Sequence, residues 1–307
     1  MTAALGRSPA SSRLSNALRS RTGYRVGVVV LLSRVVPVAA IAAILFLVAC
    51  AGASAPADLK PDAPLPAALR FDRPVVLLGE VHDNAEQHAL RLRAFRAWLV
   101  TGARPALAME QFDRPQQAAI DRELAKTPRP SADALIAAAQ GSPGWHWPYY
   151  KPFIELALAH RLPILAANVP REQARAVMRQ GLQAQGFDPL VPPDVLQQLT
   201  GEIEASHCGQ LPPGLAPQMA LSQVARDQFM AQLLTQHAHR GVLLLAGNGH
   251  VRTDVGAPYW LNAATRQRSL AIGVLEQGDT STAFDRLLFT APQPRPDPCA
   301  GMAPVRR

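Results

Sequence analysis

Six polar residues stand just past short apolar runs: Glu80 and His82 in Gly79-Glu-Val-His-Asp-Asn84, Glu110 in Met109-Glu-Gln111, Asn168 in Ala167-Asn-Val-Pro-Arg171, and Asn248 and His250 in Gly247-Asn-Gly-His250. Two imidazoles and two carboxylates in one cleft have two chemical uses. They can ligate a divalent metal, or they can trade protons with a substrate as general acid and base. Such residues also cap helices and bond buried backbone. The expectation of a site therefore rests on four coincident strand ends rather than on any one side chain. The glycines flanking His250 suit a tight turn with close backbone approach.

To share a cleft, these residues need a parallel sheet, because ligands of open α/β sheets bind beyond the carboxyl ends of the strands. Arg73-Pro-Val-Val-Leu-Leu-Gly-Glu80 is apolar without alternation, as in a strand covered on both faces. Pro105–Glu110, Leu162–Val169, Gly241–Gly247 and Ser269–Leu275 read as further strands, the last of them closing the series. Asn84 offers a helix N-cap, and Leu92, Phe95 and Leu99 an inward stripe behind it. The fold class is α/β, a mostly parallel sheet flanked by helices. Two strand-poor stretches, about 113–160 and 170–236, read as helical insertions packing together as a lid.

The domain spans 71–290, between segments of different composition. Residues 1–49 hold six arginines and no acid, and close on fifteen mostly apolar residues, Val35–Ala49. This is a secretory leader. Leu47-Val-Ala-Cys50 then resembles a bacterial lipobox, which predicts a lipid-modified Cys50, a membrane anchor and an address in the bacterial cell envelope. Residues 50–70 are proline-rich and read as a disordered tether, and 291–307 as a proline-rich tail. Subtracting the six leader arginines from 31 basic residues leaves 25 against 23 acidic ones, a net of +2. That balance gives no electrostatic footprint for nucleic acid. An exported compartment permits a disulfide between Cys208 and Cys299, although spacing alone does not place them together.

Gly-Glu-Val-His-Asp-Asn at 79–84, Ala-Met-Glu-Gln-Phe-Asp at 108–113, Ala-Ala-Asn-Val-Pro-Arg at 166–171, Ser-His-Cys-Gly at 206–209, Ala-Arg-Asp at 225–227 and Ala-Gly-Asn-Gly-His-Val-Arg at 246–252 occur in that order. Together they resemble the ChaN family of haem-binding lipoproteins, in a wider group with Tiki proteases and erythromycin-esterase-like hydrolases. The resemblance implies haem held through tyrosine at the interface of a homodimer. Tyr150, in Trp147-Pro-Tyr-Tyr-Lys-Pro152, is then the nearest match for the axial ligand, with Tyr149, Tyr259 and His207 as other candidates. The aromatic segment from Trp145 to Phe153 can equally be core. Asn168, Arg171, Asp227 and Asn248 fall in the matching blocks as residues lining the cleft.

Two functions follow. One is a lipid-anchored haem-binding protein of haem or iron uptake. The other is a metal-dependent hydrolase using Glu80, His82, Glu110 and His250. No Gly-x-Ser-x-Gly elbow and no dinucleotide glycine pattern is present, which disfavours a serine hydrolase or a Rossmann oxidoreductase.

Overall fold

The computed structural model describes residues 64–301; the expected leader and lipidated Cys50 lie outside the described residues. Val75–Leu78 (β1), Ala106–Asp113 (β2), Ile164–Asn168 (β3), Val242–Leu245 (β4), Ser269–Glu276 (β5) and Arg286–Thr290 (β6) form one sheet in the order β3-β2-β4-β1-β5-β6. Every neighbouring pair is parallel.

Successive side chains of a strand face opposite ways. Val76, Leu78, Leu107, Met109, Leu243 and Leu245 enter one apolar core, while Val75, Leu77, Ala106, Ala108, Val242 and Leu244 enter a second. Both faces are dry, which is why these strands carry no polar alternation.

The first face is covered by Ala85–Val100 (α1), Gln117–Leu124 (α2), Ala132–Ala138 (α3) and Lys151–Ala159 (α4). Asn84 caps α1, its side chain accepting from the Gln87 amide at 3.1 Å. The second face is covered by the latter half of Leu215–His237 (α7), through Met230, Ala231 and Leu234. The front half of α7 joins Arg171–Gln180 (α5) and Pro193–Ser206 (α6) around a third core of Val177, Leu182, Val195, Leu199, Ala220 and Val224. The two insertions thus do not form a joint lid. The earlier one seals the sheet, and only α5, α6 and the front of α7 make a subdomain. Among the described residues no helix is long and apolar enough to cross a membrane.

Three boundaries differ from the sequence reading. Residues 64–70, expected in the tether, pack on the domain, with Leu69 fully buried in the first core. Strand β6 was not expected. A parallel return normally needs a helix-length crossover, whereas residues 277–285 cross without one, laying Phe284 flat on Gly273, where a Cβ would meet that ring at 2.8 Å. The tail is docked from Ala291 to Cys299, where Cys299 is disulfide-bonded to Cys208 with a Cα–Cα separation of 5.6 Å.

Candidate functional site

Because β2, β4 and β1 are neighbours, their carboxyl ends lie side by side. Glu80, His82, Glu110, Gly247, Asn248 and His250 line one cleft of about 480 Å³ there, with Gln223 and Arg226 of α7 as its wall. Two glycines make the approach possible. A Cβ on Gly79 would stand 2.1 Å from Asn248 Oδ1, and one on Gly247 2.9 Å from the His82 ring. Asn248 uses its side chain structurally: Nδ2 donates to the Val274 carbonyl at 2.7 Å, and Oδ1 accepts from the Val274 amide at 3.1 Å.

Glu80 is buried at the centre of a polar network. Its Oε1 accepts from His82 Nδ1 at 2.8 Å and from the Tyr150 hydroxyl at 2.6 Å. The guanidinium of the fully buried Arg91 pairs with the other oxygen. That charge pair is what makes a buried carboxylate tolerable, and removing either partner strands the other at a cost of about 3–5 kcal/mol. His88 lies alongside, its Nε2 donating to the His82 carbonyl at 3.0 Å. Burial pulls the His88 pKa down to about 4. It is therefore neutral near pH 7, and its 3.5 Å approach to Glu80 is not an ion pair. Neither His88 nor Arg91 was anticipated. Their signal in the sequence is polar side chains on the same α1 face as Ala94 and Phe95.

The other half of the cleft is built on His250. Its Nδ1 donates to Asp227 at 2.6 Å, both side chains being buried, and its Nε2 lies 3.6 Å from Glu110. Burial lowers the His250 pKa, but Asp227 and Glu110 outweigh it and leave the group raised. Glu110 is held by the Gly247 amide, which donates to it at 2.8 Å. His82 and His250 are thus two carboxylate-oriented imidazoles, each with Nε2 left over for proton transfer.

A metal requires the acid and imidazole groups to turn their free atoms toward a common point. Here Glu80 is spent on Arg91, Tyr150 and His82, Glu110 on Gly247, and His250 Nδ1 on Asp227. Among the described residues no group of three or more His, Cys, Asp or Glu side chains is placed to hold a metal ion. The expected divalent-metal set of Glu80, His82, Glu110 and His250 is thus not supported by this arrangement.

A second cleft, of about 430 Å³, opens between α5, α6 and α7. Ala174, Met178, Ile203 and Met219 give it an apolar lining, and Arg171, Arg175, Arg226 and His207 edge it. His207 is exposed, and its Nδ1 donates to the Ile203 carbonyl at 2.8 Å. That bond fixes the tautomer and leaves Nε2 as a free lone pair. Gln223 and Arg226 line both clefts.

A family model described as haem-binding uptake, Tiki superfamily, ChaN matches residues 71–261. The chain belongs to this family. Among solved structures it is similar to that of cofacial haem binding to ChaN of Campylobacter jejuni, at 24% identity and a TM-score of 0.58, over 68% of this chain and 84% of that one. That likeness shows the shared α/β fold. Weaker similarities are to an erythromycin esterase EreC mutant in its open conformation, with 12% identity, a TM-score of 0.39 and 67% and 71% of the two chains covered, and to the type III effector HopBA1, with 14% identity, a TM-score of 0.38 and 72% and 88% covered. A search of curated protein sequences returns no match.

In this ChaN-family member the candidate tyrosines differ in their surroundings. Tyr150 is fully buried, donates its hydroxyl to Glu80, and has its pKa pushed further up by burial, which opposes the tyrosinate that iron binds. Tyr149 is half-buried, its ring stacked on His88 at 4.4 Å, and Tyr259 packs beside the third core. Arg171 edges the cleft of α5–α7 rather than that of the strand ends. Asn168 sits beneath the rim, donating to the Glu110 carbonyl at 3.0 Å. Asp227 reaches the site through His250.

Proposed function

We propose that this protein is a lipid-anchored haem-binding protein of the bacterial cell envelope, serving haem or iron uptake, and that its haem face is the cleft of α5–α7. One observation carries the assignment: an apolar cleft holding a carbonyl-oriented, exposed imidazole and three arginines. Haem is a flat apolar ring with two carboxylates, and the residues present fit both parts. Met178, Ile203 and Met219 suit the ring, Arg171, Arg175 and Arg226 the propionates, and His207 Nε2 the iron. Bound haem would supply a ferric centre; the chain's part is to hold and orient it. The cleft is open, so a second copy of this chain would close it; cofacial haem binding is described for the Campylobacter relative.

Hemin titration of the purified chain, followed in the visible spectrum, tests this. His207→Ala should change the ferric spectrum, and reversing charge at Arg171 and Arg175 together should weaken binding about tenfold or more, roughly 1.4 kcal/mol. Wild-type spectra from His207→Ala, with loss in Tyr149→Phe, would return the ligand to the aromatic segment.

A second reading, acid–base hydrolysis at the strand-end cleft, is favoured by the two carboxylate-oriented imidazoles. Turnover of a p-nitrophenyl ester that disappears in Glu110→Gln would support it. A wild-type protein without turnover on a panel of esters and amides would sink it.

A further inference from the structure

The segment after β6 has no part in either reading, yet Ala291, Gln293, Arg295 and Cys299 are each fastened to the domain. The Ala291 carbonyl accepts from Asn84 Nδ2 at 3.0 Å, and the Gln293 amide donates to Glu276 at 3.0 Å. Arg295 forks, giving Nε and Nη2 to the two oxygens of Asp83 at 2.6 and 2.5 Å, and Nη1 and Nη2 to Glu276 at 2.7 and 2.8 Å. This double ion pair holds Glu276 down to about 2. The Cys299 amide donates to Asp297 at 2.8 Å, and Cys299 ends the segment in its disulfide to Cys208. Prolines alternate with these residues and Asp297, at Pro292, Pro294, Pro296 and Pro298.

Alternate prolines fix every second φ and make the chain a semi-rigid spacer, not a slack tether. At about 3.1 Å per residue the four steps from Arg295 to Cys299 reach about 12 Å. The two ends of this spacer are chemically placed. Asp83 follows His82, the exposed imidazole of the strand-end cleft, and Cys208 follows His207, the exposed imidazole of the other. Cys208 itself stands at φ 59°, in the left-handed region that a non-glycine residue resists. The turn that ends α6 is thus held from outside, by a bond to the tail.

We propose that residues 291–299 are a strut that positions His207, fixing the carboxyl end of α6 against the loop after β1. The strut's effect on haem rests on the function proposed above; its effect on α6 does not. Arg295 and Cys299 are positioning residues, acting through Asp83 and Cys208. Cutting the disulfide frees the turn, so His207 samples several placements and the ligand meets the competent one for only a fraction of the time.

The full chain is measured by amide hydrogen exchange and by hemin titration in four forms: oxidised wild type, wild type reduced with a phosphine, Cys208→Ser with Cys299→Ser, and Arg295→Ala. Exchange over residues 203–210 should rise about tenfold on reduction and in the serine variant, with that of β1 and β4 unchanged. The apparent hemin affinity should fall about three- to tenfold, with an altered ferric spectrum. Unchanged exchange at 203–210 in both the reduced protein and the serine variant overturns the strut, even if either binds hemin less well. Faster exchange there in a protein that never binds hemin upholds the strut and overturns the haem reading alone. Reduction of folded wild type keeps the test decisive should the serine variant fail to fold.

Discussion

At the scale of single residues, His88 shows how a polar group missed in the sequence controls the behaviour of the fold. Burial holds its pKa at about 4 against an ordinary 6.5. Between those values the unfolded chain binds a proton that the folded chain refuses. Stability therefore falls as pH drops from about 6.5 to about 4, by about 3 kcal/mol if nothing relaxes. His250 works in the opposite sense: its raised pKa adds stability that is present below 6.5 and lost as pH climbs through the folded value. His88→Gln should lower stability near neutrality yet flatten the acid limb, which urea midpoints at pH 7 and pH 5 would show. An equally steep acid limb in that variant would mean that other groups carry it. The strand-end residues were legible because glycine and apolar runs frame them. The partners of Glu80 were not, since Arg91 reads as one more arginine on a helix until burial is known, and Tyr150 reads equally as ligand or core until it is found buried.

At the scale of elements, legibility follows what covers each face. The five strands that read plainly are buried on both sides, so apolar content alone marks them. Strand β6 lies at the sheet edge with Phe289 exposed, and no helix precedes it to announce a crossover. The helical insertions were visible as helices, but their allocation was not. Residues such as Ile120, Leu135 and Phe153 look the same whether they face a lid or a sheet, and only the register of the sheet sends them to the first core. The order of the tail was only partly legible, for a related reason. Proline-rich composition signals chain without a core of its own, and here order comes from Arg295 and Cys299, two side chains whose partners lie 212 and 91 residues away.

At the scale of the whole molecule, the proposed anchor makes its own prediction. Cys50→Ala should leave the precursor uncleaved and without lipid, because the acyl group is carried by that thiol. Metabolic labelling with a fatty acid reads this directly, and label retained by the variant would remove the lipobox. The globular part has a polarity that does not depend on the anchor. Six parallel strands send the loops of the strand-end cleft to one edge, leaving the turns at Gly102, Arg161 and Gly241 on the other. Those turns serve only to reverse the chain. Substitution there is felt as stability alone, while substitution on the opposite rim is felt as chemistry. The two edges can therefore drift at different rates, one answering to folding and the other to the ligand.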